Sequence, residues 1–168
     1  KIEWLEGVSF ANQVETCMYM AGDKQEDGSL KSYMDYSPAE IMINAVLSMK
    51  QDVKLLSKHI VSLGFDKMKL ILNKHGVRSE DIDYFLPHMS SEFFRSKILE
   101  NMTQNDLHIP EEKWFSNLSQ VGNVGAGSIY LMVDELFKSG RLKKGEKILL
   151  AVPESARFSY VFGLLSVC

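Results

Sequence analysis

Apolar and polar positions follow two different periods along this chain. Val14, Thr16, Met18 and Met20 recur at every second position, the period of a strand with one buried face. The polar stretch from Gly22 to Ser29 predicts a turn. Ser37-Pro38-Ala39-Glu40 then combines a serine cap, proline at the first helical position and glutamate three residues after the cap, which together satisfy or remove the orphan amide donors of a helix start. From there Met42, Val46, Met49, Val53, Leu56, Ile60 and Leu63 step by four and three along one face, which predicts one long helix packed on a sheet and ended by Gly64. A coiled-coil stripe would need charged partner positions in register, and these are missing. A second helix is expected from Asp66 to His75, stopped by Gly76.

The second half of the chain alternates. Ile82 to Leu86 reads as a short strand closed by Pro87, followed by Ser90 and Ser91 as candidate caps of a helix containing Phe94, Ile98 and Met102. Trp114 to Leu118 reads as another strand. Gly122 to Gly127 leads into a helix with Ile129, Val133, Leu136 and Phe137 facing inward, stopped at Gly140. Ile148 to Val152 is apolar on both faces and so is expected at the centre of a sheet covered on both sides. The last strand is expected over 158–167. Strands alternating with helices predict an α/β domain, and the two final strands, joined by a short loop, add an antiparallel pair.

Composition narrows the function. With 168 residues, 45% of them hydrophobic and 24% charged, the chain fits one globular domain. Its 19 basic and 22 acidic residues are interspersed, giving a net charge of −3 and no basic stripe for phosphate backbones. Nucleic acid is therefore not expected as a partner. No apolar run is long enough for a membrane span and no leader-like segment opens the chain, so a cytoplasmic location is the default expectation. Cys17 and Cys168 are expected to be reduced thiols. The chain opens on Lys1 beside Ile2, Trp4 and Leu5, which already read as structured, and this suggests a piece of something longer.

Two loops carry candidate chemistry, because each follows the carboxyl end of an expected strand, where open α/β sheets bind ligands. The first holds His88 in Leu86-Pro87-His88-Met89, with the preceding proline restricting the backbone. Of the other histidines, His59 and His75 lie near helix carboxyl ends, where positive charge is favoured, and His108 lies in a polar loop. The second loop is Val121-Gly122-Asn123-Val124-Gly125-Ala126-Gly127-Ser128. It opens a helix as phosphate loops do, but no Lys-Ser or Lys-Thr follows and the Gly-x-Gly-x-x-Gly register is absent, which argues against a nucleotide site.

This second loop resembles the Gly-Asn-Thr-Ser-Ala-Ala-Ser signature of the β-ketoacyl-acyl carrier protein synthase III condensing enzymes. Trp114-Phe115-Ser116-Asn117 before it, and Asp134-Glu135-Leu136 and Ser139-Gly140-Arg141-Leu142-Lys143-Lys144-Gly145 after it, keep the family's order and spacing. Upstream, Ile82-Asp83-Tyr84-Phe85-Leu86-Pro87-His88 is similar to the family's strand leading into its active-site histidine.

The resemblance implies that residues 1–168 form the carboxy-terminal, thiolase-like half of such an enzyme, an α/β fold whose mixed central sheet is covered by helices on both faces. The chemistry it implies is a decarboxylative Claisen condensation, with His88 and Asn123 donating hydrogen bonds to a malonyl thioester oxygen. The nucleophilic cysteine of the family lies in the amino-terminal half; Cys17 and Cys168 match neither its place nor its context, so this half alone is expected to be inert. Acyl carrier protein or coenzyme A thioesters are the implied partners, with Arg95 and Lys97 as candidate carrier-docking residues, and the full-length protein is expected to be a homodimer. No cofactor and no metal are implied.

Two departures stand out. Where the family has a Gly-rich loop that completes an oxyanion hole, this chain has Val152-Pro153-Glu154-Ser155-Ala156-Arg157-Phe158, leaving Ser155 and Ala156 as candidate backbone donors. After the histidine, Met89-Ser90-Ser91 stands where Gln-Ala-Asn is common. Both suggest a divergent branch with a different acyl partner, and the Pro-Glu-Ser loop looks like that of bacterial synthases making resorcinol or polyene lipids. The competing readings are an acyltransferase of the same fold that moves an acyl group to oxygen or nitrogen without condensation, and a degenerate half serving only in binding or assembly. Retention of both His88 and Asn123 disfavours the first, since an acceptor alcohol needs a base rather than an enolate clamp.

Overall fold

The apolar run at Ile148 becomes the inner strand of a four-stranded sheet. This computed structural model describes all residues from 1 to 168. Its elements are β1 (Ile2–Ser9), β2 (Met18–Tyr19), β3 (Gly22–Lys24), β4 (Leu30–Ser32), α1 (Pro38–Ile43), β5 (Lys50–Gln51), α2 (Val53–His59), α3 (Ser62–Lys74), β6 (Tyr84–Pro87), α4 (Phe93–Gln104), α5 (Leu118–Val121), α6 (Ser128–Lys138), β7 (Lys147–Glu154) and β8 (Ser159–Ser166). They fall into two units, one formed by Lys1–Val8, Val61–Pro153 and Tyr160–Cys168, the other by Ser9–Ile60 and Glu154–Ser159.

The first unit carries the sheet, in the order β1-β8-β7-β6. β6 and β7 run parallel, pairing Tyr84 with Ile148 and Pro87 with Ala151. The short connection between β7 and β8 makes them antiparallel, and the reciprocal bonds of Gly145 and Glu146 with Val167 close the far end of the pair. The sheet is therefore mixed. Ile148, Leu149 and Ala151 are all buried, as an inner strand with both faces covered requires.

Successive side chains on β6 point to opposite faces, and they meet different helices. Phe85 packs edge-on against Phe65 of α3 at 6.4 Å and against Trp114 at 5.3 Å. Leu86 joins Ile129, Met132 and Leu136 of α6 in a shared core cluster. Helices thus cover both faces, in agreement with the expected architecture. Gly64, expected to end a helix, instead lies inside α3, where an added Cβ would stand 2.7 Å from the Tyr160 ring. α3 therefore begins four residues before the expected Asp66, and it ends where expected, with Gly76 in the left-handed region.

Other expectations need correction. The strand over 114–118 reduces to one parallel bridge between Trp114 and Phe85, and Leu118 opens the short α5. Phe137, expected inward, is 54% exposed, while Met132 takes the inward place. In α4, Ile98 and Met102 are buried as expected; Glu92 holds the cap position, and Ser91 Oγ accepts from the Phe93 amide at 3.2 Å.

The second unit departs most from the periodic pattern. The capping box at Ser37 and Glu40 is present, but the single long helix is not. α1 stops at Asn44, Ala45 takes a left-handed φ of 47°, and the chain runs extended through β5. Asp52 then caps α2 by accepting from the Leu55 amide at 2.9 Å. Of the expected stripe, Val46, Leu56 and Ile60 are buried, whereas Met42 is 83% exposed and Met49 and Val53 are exposed too. The expected strand of 14–20 is confined to β2, which pairs with β5, and the expected turn at 22–29 carries β3, hairpinned to β4. No helix of the chain is long and apolar enough to cross a membrane.

Candidate active site

The site is built where β6 ends. The parallel ladder of β6 with β7 continues one residue beyond Pro87, because the His88 amide donates to the Ala151 carbonyl at 2.8 Å. This fixes the His88 backbone against the inner strand, so the imidazole leaves the sheet from a defined point. It projects into a small cleft of the first unit lined also by Ser116, Asn117, Gly122, Ser128 and Met132. The cleft therefore lies outside the carboxyl end of a parallel strand, as open α/β sheets arrange their ligand sites.

Burial sets the charge of His88. Loss of water holds its imidazole below the ordinary value of 6.5, because burial disfavours the charged form. It is therefore neutral at neutral pH, with one ring N–H to donate and one ring nitrogen to accept. Acidification must protonate His88 more readily in the unfolded chain than in the folded one, so stability is complete above pH 6.5 and declines as pH falls below it. His59, also held down by burial, adds a contribution of the same sign. Urea unfolding from pH 7.5 down to 5.5 should show this decline, with a smaller slope in a His88→Asn variant; equal slopes would refute the assignment to His88.

The loop from Gly122 to Gly127 forms the other wall. Gly122 and Gly125 have positive φ values of 79° and 60°, which side chains other than glycine adopt only under strain. The buried Ser128 Oγ accepts from the Val124 amide at 3.2 Å and so closes the loop at the start of α6. Asn123 itself is exposed, and its Oδ1 accepts from the Gly125 amide at 2.9 Å. Gly122 lines the cleft with His88, but the Asn123 side chain is not among the lining groups. Of the two residues singled out in the sequence, His88 lines the cleft and Asn123 does not; Asn123 follows the lining Gly122 on an exposed loop.

One polar residue, quoted in the sequence only within the stretch Trp114 to Asn117, was given no role there. Asn117 is only 5% exposed, lines the cleft, and donates from Nδ2 to Glu135 Oε2 at 2.7 Å, tying the segment before α5 to α6. An asparagine inside a stretch otherwise read as an apolar strand was the available signal, since buried amides are found with partners.

The remaining candidates have local partners. Arg95 pairs with Glu92 at 2.8 Å and lies over the Trp114 ring; Lys97 lies over the Phe93 ring at 4.4 Å. Ser155 and Ala156 are in the second unit, at the turn between β7 and β8, where the Ala156 carbonyl accepts from the Cys17 amide at 2.9 Å. Cys17 is fully buried, and burial first, then the nearby Asp52 carboxylate, pushes its thiol up. It stays protonated and is a poor nucleophile. No cluster of three or more His, Cys, Asp or Glu side chains is spaced to hold a metal ion.

Comparison with known proteins shows what the chain is similar to. Residues 72–153 match the family described as 3-oxoacyl-[acyl-carrier-protein] synthase III C terminal. The chain is 29% identical over 133 residues to the β-ketoacyl-[acyl-carrier-protein] synthase III of Brucella canis, an alignment covering 78% of this chain and 39% of that protein. Among solved structures it is similar to AbyA1, a tetronic acid condensing enzyme, with a TM-score of 0.72 at 18% identity, covering 99% of this chain and 47% of that one. It is likewise similar to the 3-oxoacyl-(acyl carrier protein) synthase III of Pseudomonas aeruginosa, with a TM-score of 0.68 at 20% identity, covering 98% and 44%. The chain thus spans less than half the length of these relatives.

Proposed function

Because this chain is a synthase III-like carboxy-terminal half, with residues 72–153 belonging to that family, we propose that it is part of an acyltransferase that forms a carbon–carbon bond by decarboxylative Claisen condensation. The observation that carries the reading is His88: a half-buried imidazole, held neutral at neutral pH by desolvation, fixed at the end of β6 and lining a cleft with Ser116, Asn117 and Ser128. When a malonyl thioester loses carbon dioxide, the electron pair of the breaking carbon–carbon bond moves toward the thioester oxygen as an enolate. A neutral imidazole N–H aimed at that oxygen stabilises the developing charge without reorganising. The enolate carbon then attacks an acyl thioester carbonyl, and the thiolate of that thioester leaves.

Asn123 is the proposed second donor. Its Oδ1 is engaged by the Gly125 amide, which orients the carboxamide and leaves its NH2 hydrogens to donate. Swinging these toward the thioester oxygen requires a side-chain rotation on the exposed loop, and a bound thioester supplies the acceptor that favours it. Asn123→Asp would place a carboxylate where negative charge develops.

In this reading the nucleophilic cysteine belongs to a part of the full-length protein outside this chain. The protonated, buried Cys17 supports that, as does the coverage of only 39% of the Brucella relative. The isolated chain would then be inactive. The substrates are acyl carrier protein or coenzyme A thioesters, met in the cytoplasm by a homodimer, with Arg95 and Lys97 able to reach carrier phosphates or carboxylates only by leaving their aromatic and acidic neighbours.

Incubating the full-length protein with a malonyl thioester and an acyl thioester tests the proposal. Carbon dioxide release coupled to a 3-oxoacyl product is expected. Acyl transfer to an alcohol or amine without such release would instead favour the non-condensing acyltransferase, and neither reaction would leave only an assembly role.

A further inference from the structure

Only three polar residues of the chain are buried, Ser79, Asn117 and Ser128, and the last two line the cleft with His88. Both are tied to α6. Ser128 opens that helix, and its Oγ accepts from the Val124 amide at 3.2 Å; Glu135, further along, accepts from Asn117 Nδ2 through Oε2 at 2.7 Å. Ser128 and Glu135 stand seven residues apart, about two helical turns, so they share one face of α6 with the cleft-lining Met132 between them. Asn117 is also the residue from which α5 starts. Its carbonyl accepts from the Gln120 and Val121 amides at 3.0 and 2.9 Å, and α5 leads directly into Gly122 and Asn123. An asparagine in that place ordinarily caps its own helix through the side-chain oxygen. Here the side chain makes no such cap, and its NH2 reaches across to α6 instead.

The segment between Asn117 and Ser128 is thus pinned to one helix face at both ends, by a charge-assisted amide–carboxylate bond at its foot and by a hydroxyl at its head. We propose that Glu135 is a positioning residue: by holding Asn117 it fixes the foot of the segment against α6, so that the backbone of Gly122, which lines the cleft, and of Asn123, which follows it, keeps one position. Glu135 is exposed and does not line the cleft, so it acts only through Asn117. The inference rests on the reading of Asn123 as second donor to the enolate oxygen. Gly122 and Gly125, both at positive φ, give the segment little stiffness of its own. With both ends anchored, only the Asn123 side chain has to turn when a thioester binds; without the anchor at Glu135 the loop would have to be ordered in the same step, which raises the barrier.

Two measurements on the full-length protein separate the anchor from its catalytic consequence. In protein carrying isotope-labelled asparagine, the side-chain amide protons of Asn117 should shift and exchange faster with solvent in Glu135→Ala, and return toward their original state in Glu135→Gln, whose amide oxygen still accepts. Decarboxylation of a malonyl thioester should slow about ten-fold in Glu135→Ala, part of the loss expected for a misplaced oxyanion donor. The KM should stay within about two-fold, because the donor acts in the transition state, and Glu135→Gln should recover most of the rate. Combined with Asn123→Ala, Glu135→Ala should add no further loss, since the group it positions is already gone. Asn117 resonances that do not move, an unchanged rate in Glu135→Ala, or losses that multiply in the double variant would each overturn the positioning role. The rate of Asn123→Ala alone tells which reading has failed: slowed as expected, the enolate reading stands without Glu135; undiminished, both fall together.

Discussion

Replacing His88 with alanine in the full-length protein should reduce decarboxylation of a malonyl thioester by about 10² to 10³-fold, the loss typical of one pre-aimed donor to a developing oxyanion. The imidazole is the only ring among the groups lining the cleft, beside Ser116, Asn117 and Ser128, and its backbone amide is bonded to the Ala151 carbonyl. The loss should fall on kcat, because the enolate charge exists only in the transition state and intermediate, not in the bound malonyl group. Acylation by the acyl thioester should change little, since that half-reaction precedes the enolate. Carbon dioxide release and acyl-enzyme formation, measured separately, distinguish the two steps. A variant that decarboxylates as fast as the unmodified enzyme would remove His88 from the chemistry.

The same replacement is not expected to unfold the chain. His88 contributes its backbone amide to the ladder, and alanine keeps that donor. The ring is only partly buried, and its depressed pKa marks it as a group that folding holds neutral at some cost below pH 6.5. A drop in activity without a matching drop in unfolding midpoint at pH 7.5 is therefore the expected signature of a catalytic group.

What the sequence disclosed and what it hid follow from the range of the forces involved. Local devices were legible: the Ser37 capping box, the left-handed glycines at Gly76 and Gly140, and the doubly apolar run at Ile148 each act through near neighbours. The span from Met42 to Leu63 was not, because a step of four and three names a face without saying that the helix is continuous. Asp52 interrupts it with a new cap, and its own amide is taken by the Cys17 carbonyl at 2.8 Å, a partner distant in sequence. The exposed Met42, Met49 and Val53 were read as core for the same reason. In the site, His88 was legible because a strand, a proline and a histidine adjoin in sequence. Asn117 was hidden because its partner Glu135 is a full helix away. The exposed orientation of Asn123 depends on a bond to Gly125 that residue types alone do not impose.

Phe85→Ala should destabilise the chain by about 3–5 kcal/mol, the range for deleting a buried aromatic ring from a close-packed interior. Phe85 is fully buried on β6, the strand that delivers His88, and its ring packs edge-on against both Phe65 of α3 and the Trp114 indole. Its carbonyl also accepts from the Phe115 amide at 2.9 Å, which alanine retains, so the loss isolates packing from hydrogen bonding. A domain of ordinary size has about 5–15 kcal/mol in all, so this one change consumes a large share and should lower the urea midpoint steeply. The cavity would open on the α3 side of β6, away from the cleft that Leu86 backs with α6. Leu86→Ala should cost a comparable 2–5 kcal/mol but fall on the cleft side. At a temperature where both variants remain folded, Phe85→Ala should therefore retain more decarboxylase activity than Leu86→Ala. Equal activity losses at equal stability would show that the two faces of β6 do not differ in their support of His88.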